Sequence, residues 1–161
     1  MEVPQNILVV GLGASGIAVA EYLMTLGRIP VLTDQKSEKD VEQALTRLNA
    51  RSYRGSFGGH RREDFLAADL IVISPGVDTE MTLLREARER GIPVIGEIEL
   101  AASLISQPIV AVTGTNGKTT TTALTGEIFS RAFGNVFVGG NIGNPLIRYV
   151  TDGALSPYII V

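Results

Sequence analysis

The chain is 161 residues long, 45% hydrophobic and 19% charged, with a formal net charge of −3, enough to bury the core of one domain or a small pair. That acidic balance, with no long basic run, excludes the electrostatic footprint of a polynucleotide-binding protein. The complete lack of cysteine excludes disulfides, thiolate metal sites and a cysteine nucleophile.

Short β-branched runs alternate with helical patterns along the whole chain. Strands are predicted near 6–10, 29–33, 51–54, 69–73, 93–96, 108–113, 135–138 and 158–161, with helices near 15–27, 38–49, 79–90, 97–105, 118–132 and 144–150. Continuous apolar strands such as Leu70-Ile71-Val72-Ile73 imply burial on both faces. Alternation with helices implies right-handed crossovers onto parallel sheets. The predicted class is doubly wound α/β. The apolar runs are strand-sized, far below the roughly 20 residues that span a bilayer, and MEVPQN at the start carries no basic cluster, so a cytoplasmic protein without a membrane span is expected.

The first motif is NILVVGLGASG at 6–16, where Gly11, Gly13 and Gly16 form G-x-G-x-x-G between a strand and a helix, with Asp34 closing the second strand. The first glycine permits the turn, the second lets a pyrophosphate approach the backbone, and the third allows close helix packing. The usual reading is a dinucleotide site with Asp34 on the ribose. The bland alternative is a turn that needs glycine for packing alone. Arg47, Arg51, Arg54, Arg61 and Arg62 follow in one stretch, read as a solvated face, and the single histidine, His60, reads as a surface residue. Ser74-Pro75-Gly76 ends the strand at 69–73, at the carboxyl edge where open α/β sheets bind ligands, although turn chemistry alone explains Pro-Gly.

Residues 91–108 read as a junction, which places a boundary near residue 95: a domain at 1–95 and another opening at 96–161. Glu97 and Glu99 there favour the positive end of a helix and are assigned no chemistry. Next, QPIVAVTGTNGKTT at 107–120 is a strand, a Gly-containing loop and a helix start. Backbone amides of such a loop converge on phosphates, Lys118 can reach the outer phosphates, and the Thr119 hydroxyl can ligate Mg²⁺, so ATP or GTP is the first ligand to suspect. The loop is not a full Walker A motif, because Val112 stands where that motif has glycine. Gly139-Gly140-Asn141-Ile142-Gly143 is another Gly-rich turn after a strand, in which Asn141 offers both a donor and an acceptor. Residues 157–161, PYIIV, read as the start of a buried strand, so the chain is expected to be the N-terminal part of a longer protein.

Taken together, GLGASG at 11–16, the strand ending in Asp34, AADLIVISPG at 67–76, GEIEL at 96–100, AVTGTNGKTT at 111–120 and GGNIGNPL at 139–146 resemble the Mur ligases of peptidoglycan synthesis, and among them the D-glutamate-adding branch. The resemblance accounts for Val112 in the loop. It implies a Rossmann-like domain that holds the uridine diphosphate of a substrate rather than a dinucleotide, followed by the start of a P-loop ATPase domain. By position, Ala14 and Ser15 would meet the pyrophosphate, Asp34 and Gln35 the uracil, Gly76 the same pocket, and Asn141 would reach the pyrophosphate from the second domain. Gly114, Thr115, Asn116, Gly117, Lys118, Thr119 and Thr120 would bind ATP, with Lys118 and Thr119 serving phosphoryl transfer and Thr119 the Mg²⁺.

The implied reaction is ATP-dependent activation of the carboxylate of UDP-N-acetylmuramoyl-L-alanine as an acyl phosphate, which the amine of D-glutamate then attacks. Residues 1–161 alone are expected not to ligate, and a monomer is expected for the whole protein. A non-catalytic nucleotide-sugar module and an NAD-dependent oxidoreductase stand as alternatives, the latter leaving 107–133 unexplained.

Overall fold

The computed structural model describes residues 3–48, 52–141, 143–153 and 155–161. The first sheet is built from β1 (Ile7–Val10), β2 (Val31–Asp34), β3 (Arg54–Phe57), β4 (Leu70–Ile73) and β5 (Val94–Gly96), all parallel, in the order β3-β2-β1-β4-β5. Its connections carry α1 (Ala14–Thr25), α2 (Glu38–Leu45), α3 (Arg62–Leu66) and α4 (Thr82–Glu89), and α5 (Glu97–Leu104) follows β5 directly.

Side chains one residue apart on a strand point to opposite faces, and β1 divides its residues accordingly. Leu8 and Val10 pack with Phe65, Ile71, Leu84 and Ala87 of α3, β4 and α4. Ile7 and Val9 pack with Ile17, Val19, Leu100 and Ala101 of α1 and α5. Both faces of β1 are therefore sealed, and this is why its sequence is apolar without alternation.

A second parallel sheet, in the order β6-β8-β7, comprises β6 (Ile109–Val110), β7 (Phe137–Val138) and β8 (Ile159–Ile160), with α6 (Lys118–Phe133) after β6 and α7 (Ile147–Thr151) before β8. The two sheets share one apolar core. Leu146, Ile147, Tyr149 and Ile159 belong to the same buried cluster as Ile17, Ala20 and Leu23 of α1, and Arg148 of α7 forms an ion pair with Glu21 of α1. No helix among the described residues is long and apolar enough to cross a membrane.

The predicted elements are present, with corrections at their ends. The predicted strand 51–54 becomes β3 at Arg54–Phe57, whose Gly55 and Ser56 carry no β-branched signal. The predicted helix 144–150 starts only at Ile147, because Pro145 disfavours the helical region at Asn144, whose carbonyl instead accepts the Gly140 N–H at 2.7 Å. The predicted helix 79–90 begins at Thr82, after a turn in which the Asp78 carboxylate accepts the Glu80 N–H at 2.9 Å. Helix α3 was not predicted; its five residues are too few to show a helical period. Asn49, Arg51 and Ile142 lie outside the described residues. Arg47, Arg54, Arg61 and Arg62 are exposed as predicted, and Arg62 pairs with Glu86.

Candidate functional site

The turn after β1 is held by Asp34 and Ser74 at the carboxyl edge of the first sheet. The Leu12 N–H donates to Asp34 Oδ2 at 2.8 Å, the Lys36 N–H donates to Asp34 Oδ1 at 2.9 Å, and the Ser74 hydroxyl donates to the Gly11 carbonyl at 2.7 Å. Asp34 thus ties two loops together, and each carboxylate oxygen retains a further lone pair. Ser74, read as simple turn chemistry, is a strut beneath the glycine turn.

Helix α1 begins with Gly13 as its cap, without a side-chain cap bond and without an acidic residue in its first turn. Its leading N–H groups and positive dipole end are therefore left for an anion. The third glycine has a clear reason: a Cβ on Gly16 would lie 1.9 Å from the Gly11 carbonyl oxygen, whereas one on Gly13 would meet nothing within 4 Å. Open space over the second glycine and contact at the third is the division of labour that the motif predicts.

A cavity of about 390 Å³ opens beside this turn, lined by Gly11, Gly13, Asp34, Gln35, His60, Ser74 and Gly76 among others. Asp34, Gln35 and Gly76 are thus brought together. Ala14 lines a neighbouring hollow with Gly13 and Asp34. Ser15 is buried, and it lines neither.

The second loop spans the end of β6 and the start of α6. Gly117 caps α6 in the left-handed conformation, φ 76°, which a side chain would oppose. Neither a side-chain cap nor an acidic first turn covers the α6 N–H groups. The Lys118 ammonium folds back on its own loop, donating to the Gly114 carbonyl at 2.5 Å and to that of Thr115 at 3.4 Å.

Lys118, Thr119, Thr122, Gly139 and Asn141 line a cavity of about 290 Å³. A third cavity, of about 420 Å³, is lined by Ser74, Gly76, Glu97 and Asn141. Asn141 therefore borders both the cavity of the second loop and one that reaches the Ser74–Gly76 turn. Gly114, Thr115, Asn116, Thr119 and Thr120 are all exposed on the second loop and the first turn of α6.

Glu97, predicted only to favour a helix end, has a specific partner. It is 2% exposed, and its Oε1 accepts the Ile147 N–H at the start of α7, 2.7 Å away and 50 residues on. Its Oε2 is buried without a partner among the described residues. Burial raises the Glu97 pKa, outweighing the opposing effect of the Ile147 and Leu146 amides. A raised folded pKa contributes stability that is fully present below the unfolded value of about 4.5 and is lost as pH rises through the folded value. Glu97→Gln keeps an acceptor for Ile147 without the charge, so the decline in melting temperature as pH rises above about 4.5 should flatten in this variant relative to the parent. Parallel curves in a thermal-melt series would refute that expectation.

Parallel α/β sheets with Gly-rich turns at their carboxyl edges are an architecture shared by many nucleotide-binding proteins. The chain belongs to the Mur ligases: the Mur ligase MurD-like N-terminal domain family matches residues 5–96 and the Mur ligase middle domain family matches residues 112–153. A UDP-N-acetylmuramoylalanine--D-glutamate ligase of Geobacter metallireducens is 49% identical over 157 residues, covering 98% of this chain and 35% of that relative. One from Desulfosudis oleivorans is 44% identical, over 98% of this chain and 34% of the relative. The chain thus spans about a third of the length of the curated relatives it matches. Among solved structures, a UDP-N-acetylmuramate:L-alanyl-gamma-D-glutamyl-meso-diaminopimelate ligase from Neisseria meningitides shares the fold with a TM-score of 0.54 at 21% identity, over 98% of this chain and 52% of that one. A UDP-N-acetylmuramate-alanine ligase from Thermotoga maritima gives 0.50 at 26% identity, over 85% of this chain and 32% of that one.

Proposed function

We propose that residues 1–161 are the substrate-holding part of an ATP-dependent ligase that joins D-glutamate to UDP-N-acetylmuramoyl-L-alanine. In this reading residues 1–95 form the uridine diphosphate unit and 96–161 the opening of the ATP-binding unit. The observation that carries the reading is the position of Asn141, which borders the cavity of the Lys118 loop and also the cavity of the Ser74–Gly76 turn. A reaction that moves a phosphoryl group from ATP to a carboxylate on the second ligand needs the two ligands held side by side.

The diphosphate would rest on the leading amides of α1 at Ala14 and Ser15, the latter through its backbone because its side chain is buried. Asp34, Gln35 and Gly76 would line the nucleoside and pyrophosphate pocket, and Asn141 would hold the diphosphate from the opposite side. Gly114 to Thr120 would enclose the ATP phosphates, with the Lys118 ammonium exchanging loop carbonyls for phosphate oxygens.

Thr119 would be a protein ligand to Mg²⁺. Its hydroxyl lies beside Lys118 on the same cavity wall and suits a cation that also binds phosphate oxygens, with further protein ligands expected from the part of the protein beyond residue 161. The ion, when bound, supplies charge neutralisation on the phosphates. The acyl phosphate and its attack by D-glutamate need positioning rather than a protein nucleophile. The setting is cytoplasmic and the whole protein a monomer.

Titration with UDP-N-acetylmuramoyl-L-alanine, ATP and NAD tests this directly. Saturable responses to the first two and none to NAD are expected, together with no D-glutamate-dependent phosphate release by residues 1–161 alone. Tight NAD binding with no response to the uridylated compound would replace the ligase by an oxidoreductase.

A further inference from the structure

We propose that His60 is a ligand-positioning residue of the cavity beside Asp34, where its imidazole Nε2–H donates to an acceptor on the nucleoside end of a uridine diphosphate. The inference rests on the reading of that cavity given above and adds to it a residue which its sequence context marks only as part of an exposed, Arg-flanked loop.

Several contacts fix the ring. After β3, the Gly58 N–H donates to the Lys36 carbonyl at 2.7 Å and the Gly59 N–H to the Asp34 carbonyl at 3.4 Å, which folds the loop against the end of β2. His60 then lies with Nδ1 at 2.8 Å from the hydroxyl of Thr33, which is fully buried on β2. Phe65 of α3 meets the imidazole edge-on with ring centroids 5.7 Å apart.

The Thr33 contact suits one tautomer: with the hydroxyl of Thr33 donating to Nδ1, the ring proton sits on Nε2, and this is the form that the proposal takes. Nδ1 is thereby occupied, and Nε2–H is the polar atom left to a ring that lines the same cavity as Asp34, Gln35 and Gly76. Burial holds the His60 pKa below its usual value, against the pull of Asp34, so the ring is neutral at neutral pH. A neutral donor beside an acidic residue suits a base carbonyl or a ribose hydroxyl, whereas the phosphates have the uncapped start of α1.

The bland alternative is that His60 only satisfies Thr33 and packs on Phe65. His60→Asn separates the two, because its amide oxygen can replace Nδ1 as the acceptor for Thr33 while the reach of Nε2 is lost. His60→Ala is the second variant, and thermal melts accompany both. UDP affinity is read by calorimetry and inorganic pyrophosphate binding by phosphorus NMR. In both variants UDP should bind about five- to tenfold more weakly, the effect of one neutral hydrogen bond, with pyrophosphate binding unchanged. Unchanged UDP affinity, or equal losses for UDP and pyrophosphate, would assign His60 a purely structural role and overturn the proposal. A parent chain that does not respond to UDP at all would instead overturn the reading of the cavity, and this proposal with it.

Discussion

Gly16→Ala is expected to lower the melting temperature by about 6–12 °C and to abolish binding of a uridine diphosphate. The added Cβ would lie 1.9 Å from the Gly11 carbonyl oxygen and 2.7 Å from Ser74 Oγ. The first of these is backbone held by its own bonds: the Gly11 N–H donates to the Thr33 carbonyl at 2.9 Å, and the Gly11 carbonyl accepts from Ser74. The glycine turn therefore cannot retreat without leaving its struts. Overpacking of this kind costs about 3 kcal/mol, and each kcal/mol moves the midpoint of a domain this size by about 2–4 °C. Gly13→Ala is the matched control. Its Cβ would meet nothing within 4 Å, so its melt should stay close to the parent's while diphosphate affinity still falls, because the methyl intrudes on the ligand side. Equal melting temperatures for the two variants in differential scanning calorimetry would show that the third glycine is not a packing requirement.

Lys118→Ala is expected to weaken ATP binding by about 10–100-fold while leaving the fold and UDP affinity unchanged. The ammonium is exposed and, among the described residues, bonds two carbonyls of its own loop, so its removal leaves no buried charge unpaired. Toward a triphosphate the same group makes charge-assisted bonds worth about 1.5–3 kcal/mol, which sets the size of the loss. Lys118→Arg retains the charge on a planar head that fits the loop differently, and it should fall between the two. A fluorescent ATP analogue titrated against all three proteins, with UDP as the second ligand, gives the comparison. An unaltered ATP affinity in Lys118→Ala would remove this loop from the nucleotide site.

Local signals carried most of the fold. The apolar runs of β1 and β4, the spacing of Gly11, Gly13 and Gly16, and the Gly117-Lys118 start of α6 each act over a few residues, and the structure places each where its pattern predicts. Long-range partnerships did not announce themselves. Nothing near Glu97 marks Ile147 as its partner, and nothing near His60 marks Thr33, 27 residues away, because those pairs exist only once the sheets are assembled. Ser74 was half legible: Pro75-Gly76 signals a turn, but the bond from Ser74 to Gly11 spans 63 residues of chain. The late start of α7 could have been read from Pro145 alone.

The cluster that joins α1 to α7 has a practical bearing on anyone who would cut the gene. A product ending near residue 95 would lose Leu100, Ala101, Leu146, Ile147 and Tyr149, all of which are at most 5% exposed in the folded chain, and it would leave the side of α1 that they cover wet and greasy, with Glu21 stripped of Arg148. Such a truncation invites clumping during purification. Polar replacements along that stripe, or retention of the segment through α7, are the remedies that the packing itself recommends.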